Sequence, residues 1–247
     1  MANQKTVDKA AVDKAFEALK TYDWGTDRKT LGPIDEAVVA THGDAAARKD
    51  LETRLVAVLK GRASRSAKDY VCRTLKTIGT AESVPALAAL LPDKDLSHMA
   101  RYALERMAAP EAAAAMRDAL PRLSGALKVG AIGSLGVRRD AASVAALADL
   151  LGDADKAIAS AAAGALGMIG SPEAGKALGQ RAKKAPEGLK PAIADACLAC
   201  AERLLGDGKK AEAIALYKSL SGEDQPKHVR LAATRGLLAA AGKKDRR

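Results

Sequence analysis

The stretch from Lys156 to Ala182 constrains the fold of this chain more than any other. Its apolar residues recur at three- and four-residue steps through Ile158, Ala162 and Leu166, which predicts a helix with one apolar face. Gly170-Ser171-Pro172 then ends this helix and begins a second one, so the stretch predicts a helical hairpin. A hairpin this small and rich in alanine cannot bury enough apolar surface alone, and it therefore requires similar hairpins beside it.

Similar hairpins follow one another along most of the chain. The residue before the turn of successive hairpins recurs at intervals of 29, 28 and 34 residues, at Ile78, Met107, Leu135 and Ile169. The pattern predicts an all-α fold, an α-α superhelix or solenoid of about six to seven stacked helical hairpins, with no strand of consequence in residues 66–242. One buried position is expected to recur in five of the helices, at Leu75, Leu104, Ile132, Leu166 and Leu237.

The same pattern divides the chain into three predicted segments. Residues 1–32 are an N-terminal helix and capping segment, residues 33–242 are the repeat array, and residues 243–247 are a basic tail. Phe16 and Trp24, the single Phe and the single Trp, both fall in the first segment. Large side chains at the end of an array typically cover the apolar face of its first repeat, so we predict this role for both, in preference to a ligand site.

The turns within the hairpins resemble those of a known repeat type. Ile78-Gly79-Thr80, Leu135-Gly136-Val137 and Ile169-Gly170-Ser171-Pro172 are similar to the turns of HEAT-like repeats of the phycobilisome-lyase type. The resemblance covers roughly residues 33–242. It implies a HEAT-like solenoid whose second helices line a concave face, and it implies little about function.

Positive charge is concentrated toward the C-terminus of a chain whose formal net charge is +10. Residues 1–60 contain ten basic and ten acidic side chains, whereas residues 201–247 contain eleven basic and six acidic ones. If the second helices line the concave face, the basic residues of the fifth and sixth hairpins come close together there and form a candidate site for an acidic partner. These residues are Lys176, Arg181, Lys183, Lys184, Lys209, Lys210 and Lys218. The alternative is a solvated lysine-rich face that keeps an alanine-rich protein in solution.

Two motifs favour structural interpretations over chemical ones. The stretch from Gly170 to Ala177 has the spacing of a phosphate-binding loop, but it follows a predicted helix, and Ala177 stands where a Ser or Thr would reach Mg²⁺. Cys197 and Cys200 lie in an apolar helical run, which favours core packing over a redox pair or half of a metal site. With Cys72 the cysteines number three, too few for a disulfide framework.

Enzyme families with HEAT-like repeats supply alternatives that the residues do not support. Deoxyhypusine hydroxylases hold iron with repeated His-Glu pairs, but Gly43, Met99 and Val229 follow the three histidines of this chain. A phycobilin lyase would rest on the repeat type alone. An alkylpurine DNA glycosylase would need a pocket for a base, which the sequence does not indicate. We therefore expect no catalytic residues, no cofactor and no metal.

The sequence thus favours a non-catalytic scaffold that binds another protein through its concave face. The alternative is a solenoid that binds nucleic acid in a glycosylase-like groove, and a small-molecule lyase or another enzyme is a distant third. No apolar run approaches the ~20 residues that span a bilayer, and the first 20 residues are polar and charged. We therefore expect a cytoplasmic protein without a membrane span, and the sequence leaves its oligomeric state open.

Overall fold

The structure is a computed structural model that describes residues 8–242. Within that range it contains fourteen α-helices and no β-strand, so the predicted all-α fold is confirmed. The helices fall into two compact units, the first ending at Arg122 and the second beginning at Leu123. The predicted segment boundaries at residues 32 and 242 stay predictions, and the basic tail 243–247 lies outside the described residues.

Residues 8–122, the described part of the first unit, contain seven α-helices, which form three hairpins preceded by α1. The hairpins are α2 with α3, α4 with α5, and α6 with α7. Neighbouring hairpins pack with α4 against α6 and α5 against α7, so first and second helices form separate rows. The bounds are α1 (Lys9–Thr21), α2 (Gly32–Ala40), α3 (Ala45–Lys60), α4 (Arg65–Ile78), α5 (Val84–Ala88), α6 (Ser97–Arg106) and α7 (Pro110–Ala119).

The second unit repeats this arrangement with three hairpins followed by α14. First helices α8, α10, α12 and α14 pack in one row, and second helices α9, α11 and α13 pack in the other. Residues 8–242 therefore contain six helical hairpins, in agreement with the predicted six to seven. The bounds are α8 (Gly125–Val137), α9 (Val144–Leu150), α10 (Lys156–Ile169), α11 (Pro172–Ala182), α12 (Lys190–Gly206), α13 (Lys210–Ser219) and α14 (Lys227–Gly242).

Local chemistry sets the turn between α10 and α11 as predicted. Gly170 ends α10 in the left-handed conformation, with φ 65°, and its N–H donates to the carbonyl of Leu166. Ser171 caps α11, because its side chain accepts a hydrogen bond from the N–H of Ala174, and Pro172 fills the first helical position. Asp44 caps α3 in the same way, by accepting from Ala47 N at 2.9 Å.

The core is aliphatic, and four of the five residues expected at the recurring position are completely buried. Leu75, Leu104, Ile132 and Leu166 are each 0% exposed. The prediction was wrong for Leu237, which is only half-buried on α14. No described helix follows α14, so part of its surface has no neighbour, and Leu238 is 68% exposed.

The predicted cap of the first repeat is correct for Phe16 and wrong for Trp24. Phe16 is 5% exposed on α1, which packs against α2 and α4, and the guanidinium of Arg54 lies 4.0 Å from the centre of its ring. Trp24 is 95% exposed, so it covers no apolar face. Its turn follows the end of α1 at Thr21 and directs the indole toward solvent.

Candidate functional site

Two open grooves separate the second helices of the second unit. The α9–α11 groove has a volume of about 680 Å³ and is lined by residues of both helices and of the turns after them. The α11–α13 groove, of about 360 Å³, lies on the other side of α11 and includes Leu204 of α12 and Leu216 of α13. Both grooves therefore use α11, the helix that carries most of the predicted basic cluster.

Four residues of the predicted basic cluster line these grooves. Arg181 and Lys184 line the α9–α11 groove, Lys176 lines the α11–α13 groove, and Lys183 lines both. Three are exposed, whereas Arg181 is half-buried and its Nε has no hydrogen-bond partner within the described residues. Packing therefore holds the stem of Arg181 in place while the lysines can adjust to a ligand.

The other three residues of the cluster line neither groove. Lys209 and Lys210 lie at the N-terminus of α13, and Lys218 is exposed near its C-terminal end. Lys209 lies close enough to Glu173 for its positive charge to lower the pKa of that carboxyl group. The pKa of Glu173 is below its ordinary value because its own backbone N–H and the Ser171 side chain form hydrogen bonds with the carboxylate, with a smaller effect from the charge of Lys209.

Acidic residues offset only part of this charge. Asp149 is the acidic residue that lines the α9–α11 groove, beside Arg181, Lys183 and Lys184. Glu212 does the same in the α11–α13 groove, beside Lys176 and Lys183. Both grooves therefore carry a net positive charge, which favours an anionic ligand.

Cys197 and Cys200 are core residues, as predicted, and Cys72 is buried as well. Cys72, Cys197 and Cys200 are each 0% exposed. Burial raises the pKa of Cys197 and Cys72 to about 12 and that of Cys200 to about 11. These thiols are protonated at neutral pH, and a protonated thiol is a poor nucleophile and metal ligand.

We expect all three thiols to resist iodoacetamide at neutral pH in the folded protein and to react fully in urea, as counted by mass spectrometry. Because their folded pKa values exceed the value of about 8.5 for an unfolded thiol, their contribution to stability is complete below that pH and is lost as the pH rises toward the folded values. The urea concentration at the midpoint of unfolding should accordingly be lower at alkaline pH than at neutral pH. Rapid labelling of the native protein would contradict this burial.

The remaining motifs have structural positions. Residues 172–177 of the loop-like stretch are the first turns of α11, so their backbone N–H groups are not arranged as a phosphate-binding loop. His42, His98 and His228 are all exposed. Within residues 8–242, no three His, Cys, Asp or Glu side chains are grouped so as to hold a metal ion. No helix in the same range is long and apolar enough to cross a membrane.

Sequence reasoning missed an open cleft in the first unit. This aromatic cleft has a volume of about 620 Å³, and its lining includes Tyr22, Trp24, Arg28, Asp35, Tyr70 and Arg73. The residues come from the segment between α1 and α2, from α2 and from α4. One signal was available, because the polar and aromatic residues of α4 that face the cleft, from Ser66 to Thr77, recur at helical spacing.

Hydrogen bonds and ion pairs order the floor of the aromatic cleft. The Tyr70 hydroxyl donates to Asp35 Oδ1 at 2.9 Å, and Arg28 Nη2 lies 3.3 Å from Asp35 Oδ2. The Arg28 guanidinium is 5.7 Å from the centre of the Tyr70 ring. Burial, and secondly the hydrogen bond to Asp35, raise the pKa of Tyr70 above its ordinary value, so the hydroxyl stays protonated as a donor.

A match to one family model supports the repeat architecture in part of the chain. Residues 120–197 match the family model of HEAT repeats. An engineered protein of known structure is 19% identical with a TM-score of 0.43, covering 93% of this chain and 68% of its own. Human deoxyhypusine hydroxylase in complex with glycerol is 17% identical with a TM-score of 0.39, and the match covers 94% of this chain and 96% of the hydroxylase chain. A second engineered protein is 20% identical with a TM-score of 0.29, and the match covers 93% of this chain and 96% of the engineered chain.

A comparison with curated proteins found no match. The three TM-scores are below 0.5, so these structural likenesses carry no conclusion about the activity of this chain.

Proposed function

We propose that this protein is a non-catalytic scaffold of HEAT-like repeats of the phycobilisome-lyase type, and that it binds an acidic segment of another protein on the second helices of its second unit. The observation that carries the proposal is the pair of grooves on either side of α11. Together they present Lys176, Arg181, Lys183 and Lys184 against two acidic residues. Charge complementarity of this kind selects an acidic partner and speeds its association.

The shape of the surface favours an extended or helical segment of a protein. Both grooves are open and lie between neighbouring second helices, and the α11–α13 groove has an apolar floor that includes Leu204 and Leu216. A segment with acidic and aliphatic residues would pair its carboxylates with the basic rim and bury its apolar side chains in the groove. The half-buried Arg181 would lose little side-chain entropy when it binds a carboxylate.

The proposal is tested with two triple variants of equal charge change. The groove variant replaces Arg181, Lys183 and Lys184 by Glu, and the control variant replaces Lys209, Lys210 and Lys218, which line neither groove, by Glu. The probe is a fluorescein-labelled peptide of Glu and Leu residues, measured by fluorescence anisotropy at low salt. We expect the groove variant to lose about tenfold or more in affinity and the control to lose much less.

The control variant and a double variant of Lys183 and Lys184 should fold normally, because these lysines are exposed and exposed charges contribute little to stability. Arg181 is half-buried, so circular dichroism checks the fold of the triple groove variant, and the double variant gives the same comparison if the triple variant does not fold. Equal losses in the two variants would show that only the overall charge matters, and the proposed site would be wrong. A labelled DNA duplex serves as the competing probe. If the duplex binds and the acidic peptide does not, with a salt slope of about −0.9 per contacted phosphate, the surface is a nucleic-acid site instead.

A further inference from the structure

The aromatic cleft concentrates a residue type that is rare in this chain. The sequence contains six aromatic residues, and three of them, Tyr22, Trp24 and Tyr70, line this one cleft. Trp24 is 95% exposed, the largest exposed fraction among the large hydrophobic residues that the structure describes. An indole in that position contributes nothing to the core, and its exposure forgoes the favourable free energy of burying apolar surface away from water.

The backbone that carries this indole is nevertheless held firmly. Trp24 N–H donates to Asp23 Oδ1 at 2.8 Å, and Ser66 Oγ of α4 donates to the same oxygen at 2.9 Å. Ser64 Oγ donates to the carbonyl of Tyr22, which ties the turn to the N-terminus of α4. The pKa of Asp23 is below its ordinary value because of the hydrogen bonds from Trp24 and Ser66. The fold therefore presents an exposed aromatic face from a fixed support.

Two oriented guanidinium groups line the same cleft as the indole. Arg73 Nε lies 3.2 Å from Asp69 Oδ1, and Arg28 is paired with Asp35, so each carboxylate fixes one side of a guanidinium. The two arginine side chains remain 59% and 66% exposed, which leaves N–H donors directed to solvent at the edge of the cleft. A planar guanidinium held by a carboxylate is well suited to bind a phosphate through its other donors.

A second pair of a cation and an aromatic ring lies between α4 and the neighbouring first helix, α6. Lys76 Nζ of α4 donates to the hydroxyl of Tyr102 of α6 at 3.0 Å and lies 4.8 Å from the centre of its ring. The hydrogen bond from Lys76, followed by its charge and those of Arg73 and Arg106, lowers the pKa of Tyr102. Because α4 and α6 pack side by side, basic and aromatic side chains continue from the cleft across both helices.

We propose that this surface binds single-stranded nucleic acid, with one base stacked on Trp24 and the adjoining phosphates on Arg28, Arg73 and Lys76. Stacking on a fixed aromatic face combined with cations along a groove is the general physical basis of single-strand binding. A duplex keeps its bases paired and cannot stack one on the indole. A free nucleotide would occupy the cleft but not the pair of Lys76 and Tyr102 on the neighbouring helices.

The charge balance of the cleft distinguishes this binding from simple attraction to a polyanion. Asp35 and Asp69 balance the formal charges of Arg28 and Arg73, so the lining of the cleft has no net charge, and the remaining N–H donors with Lys76 should contact about three phosphates at most. The logarithm of affinity should fall with the logarithm of salt with a slope of about −2, since each phosphate of a single strand contributes about −0.7. Most of the affinity then comes from stacking, which salt does not screen.

Trp24 provides its own signal, because it is the only tryptophan of the chain. We expect single-stranded oligothymidine to quench its fluorescence, and a duplex of equal length or the Glu and Leu peptide not to do so. With a labelled oligonucleotide, Trp24→Ala should weaken binding about 5- to 150-fold, the range for loss of one stacked base. Trp24→Phe should retain part of the affinity, and Val39→Ala, at an exposed site on α2 outside the cleft, should retain all of it.

The outcomes separate the possible ligands. No quenching by the oligonucleotide, or equal quenching by the duplex, would overturn the proposal. Quenching by the acidic peptide instead would make Trp24 an anchor for a protein, and equal affinity for thymidine monophosphate would reduce the site to a nucleotide pocket. Replacing the groove residues Arg181, Lys183 and Lys184 by Glu should leave the quenching unchanged, so this site and the proposed protein site can fail independently. Circular dichroism should show every Trp24 variant folded, because the indole makes no core contact.

Discussion

Replacing Leu166 by Ala should lower the free energy of unfolding by about 2–5 kcal/mol, the usual cost of removing a fully buried leucine side chain. Leu166 is 0% exposed in α10, the helix that packs against α8 on one side and α12 on the other. Its neighbours along α10 include Ala162, Ala163 and Ala165, which are also buried. Alanine side chains are short and cannot move into the space that is lost, so we expect a cavity to remain and the cost to reach the upper part of the range.

Leu238→Ala is the matched control for this change. The same atoms are removed, but Leu238 is 68% exposed on α14, and substitutions at such positions usually change stability by less than about 0.5 kcal/mol. Thermal denaturation followed by circular dichroism compares the two variants. The melting temperature should fall by roughly 2–4 °C for each kcal/mol of unfolding free energy that is lost. Equal midpoints for the two variants would mean that the buried face of α10 is assigned incorrectly.

The hairpins could be predicted from sequence because short-range chemistry specifies them. Gly170 permits the left-handed conformation that ends α10, and Ser171 with Pro172 supplies the cap and the first position of α11. The residues that form this turn are adjacent in the chain, so no knowledge of the tertiary structure was needed. Asp44 caps α3 through the same kind of short-range contact.

Positions that depend on what lies next to a helix could not be predicted in this way. The apolar pattern of α14 resembles that of the other first helices, yet Leu237 is half-buried because no described helix covers that side. Trp24 was expected to pack because it is large and apolar. The direction of its side chain depends instead on the turn that carries it, which is held by hydrogen bonds that Ser64 and Ser66 donate to Tyr22 and Asp23, residues 42 and 43 positions earlier in the chain.

The two candidate surfaces show the same limit. The sequence placed seven basic residues near one another, but the spacing between neighbouring helices brings Lys176, Arg181, Lys183 and Lys184 into the grooves and leaves Lys209, Lys210 and Lys218 outside the grooves. In the aromatic cleft, Trp24 and Tyr70 are separated by 45 residues, and no local pattern relates them. A periodic pattern identifies the face of a helix, but it does not identify the partner of that face.

Two glycines of α10 show how closely the helices approach each other. A Cβ atom on Gly167 would lie 2.9 Å from the carbonyl oxygen and 3.1 Å from the Cα of Ala196 in α12. These are backbone atoms, so the contact can be relieved only by moving one helix away from the other. A Cβ atom on Gly164, three residues earlier in the same helix, would have nothing within 4 Å. Gly167 therefore sets the distance between α10 and α12, and Gly164 does not.

Gly167→Leu should consequently destabilise the protein by about 3 kcal/mol or more, because an overpacked contact with backbone on both sides forces the helices apart. Gly167→Ala should have a smaller effect of the same sign, since the better helix propensity of alanine offsets part of the clash. Gly164→Ala, which gains the propensity without the clash, should stabilise the protein by about 0.8–1.0 kcal/mol. Urea denaturation of the three variants measures the differences. If Gly167→Ala stabilises the protein as much as Gly164→Ala, the two helices are not in backbone contact at this position.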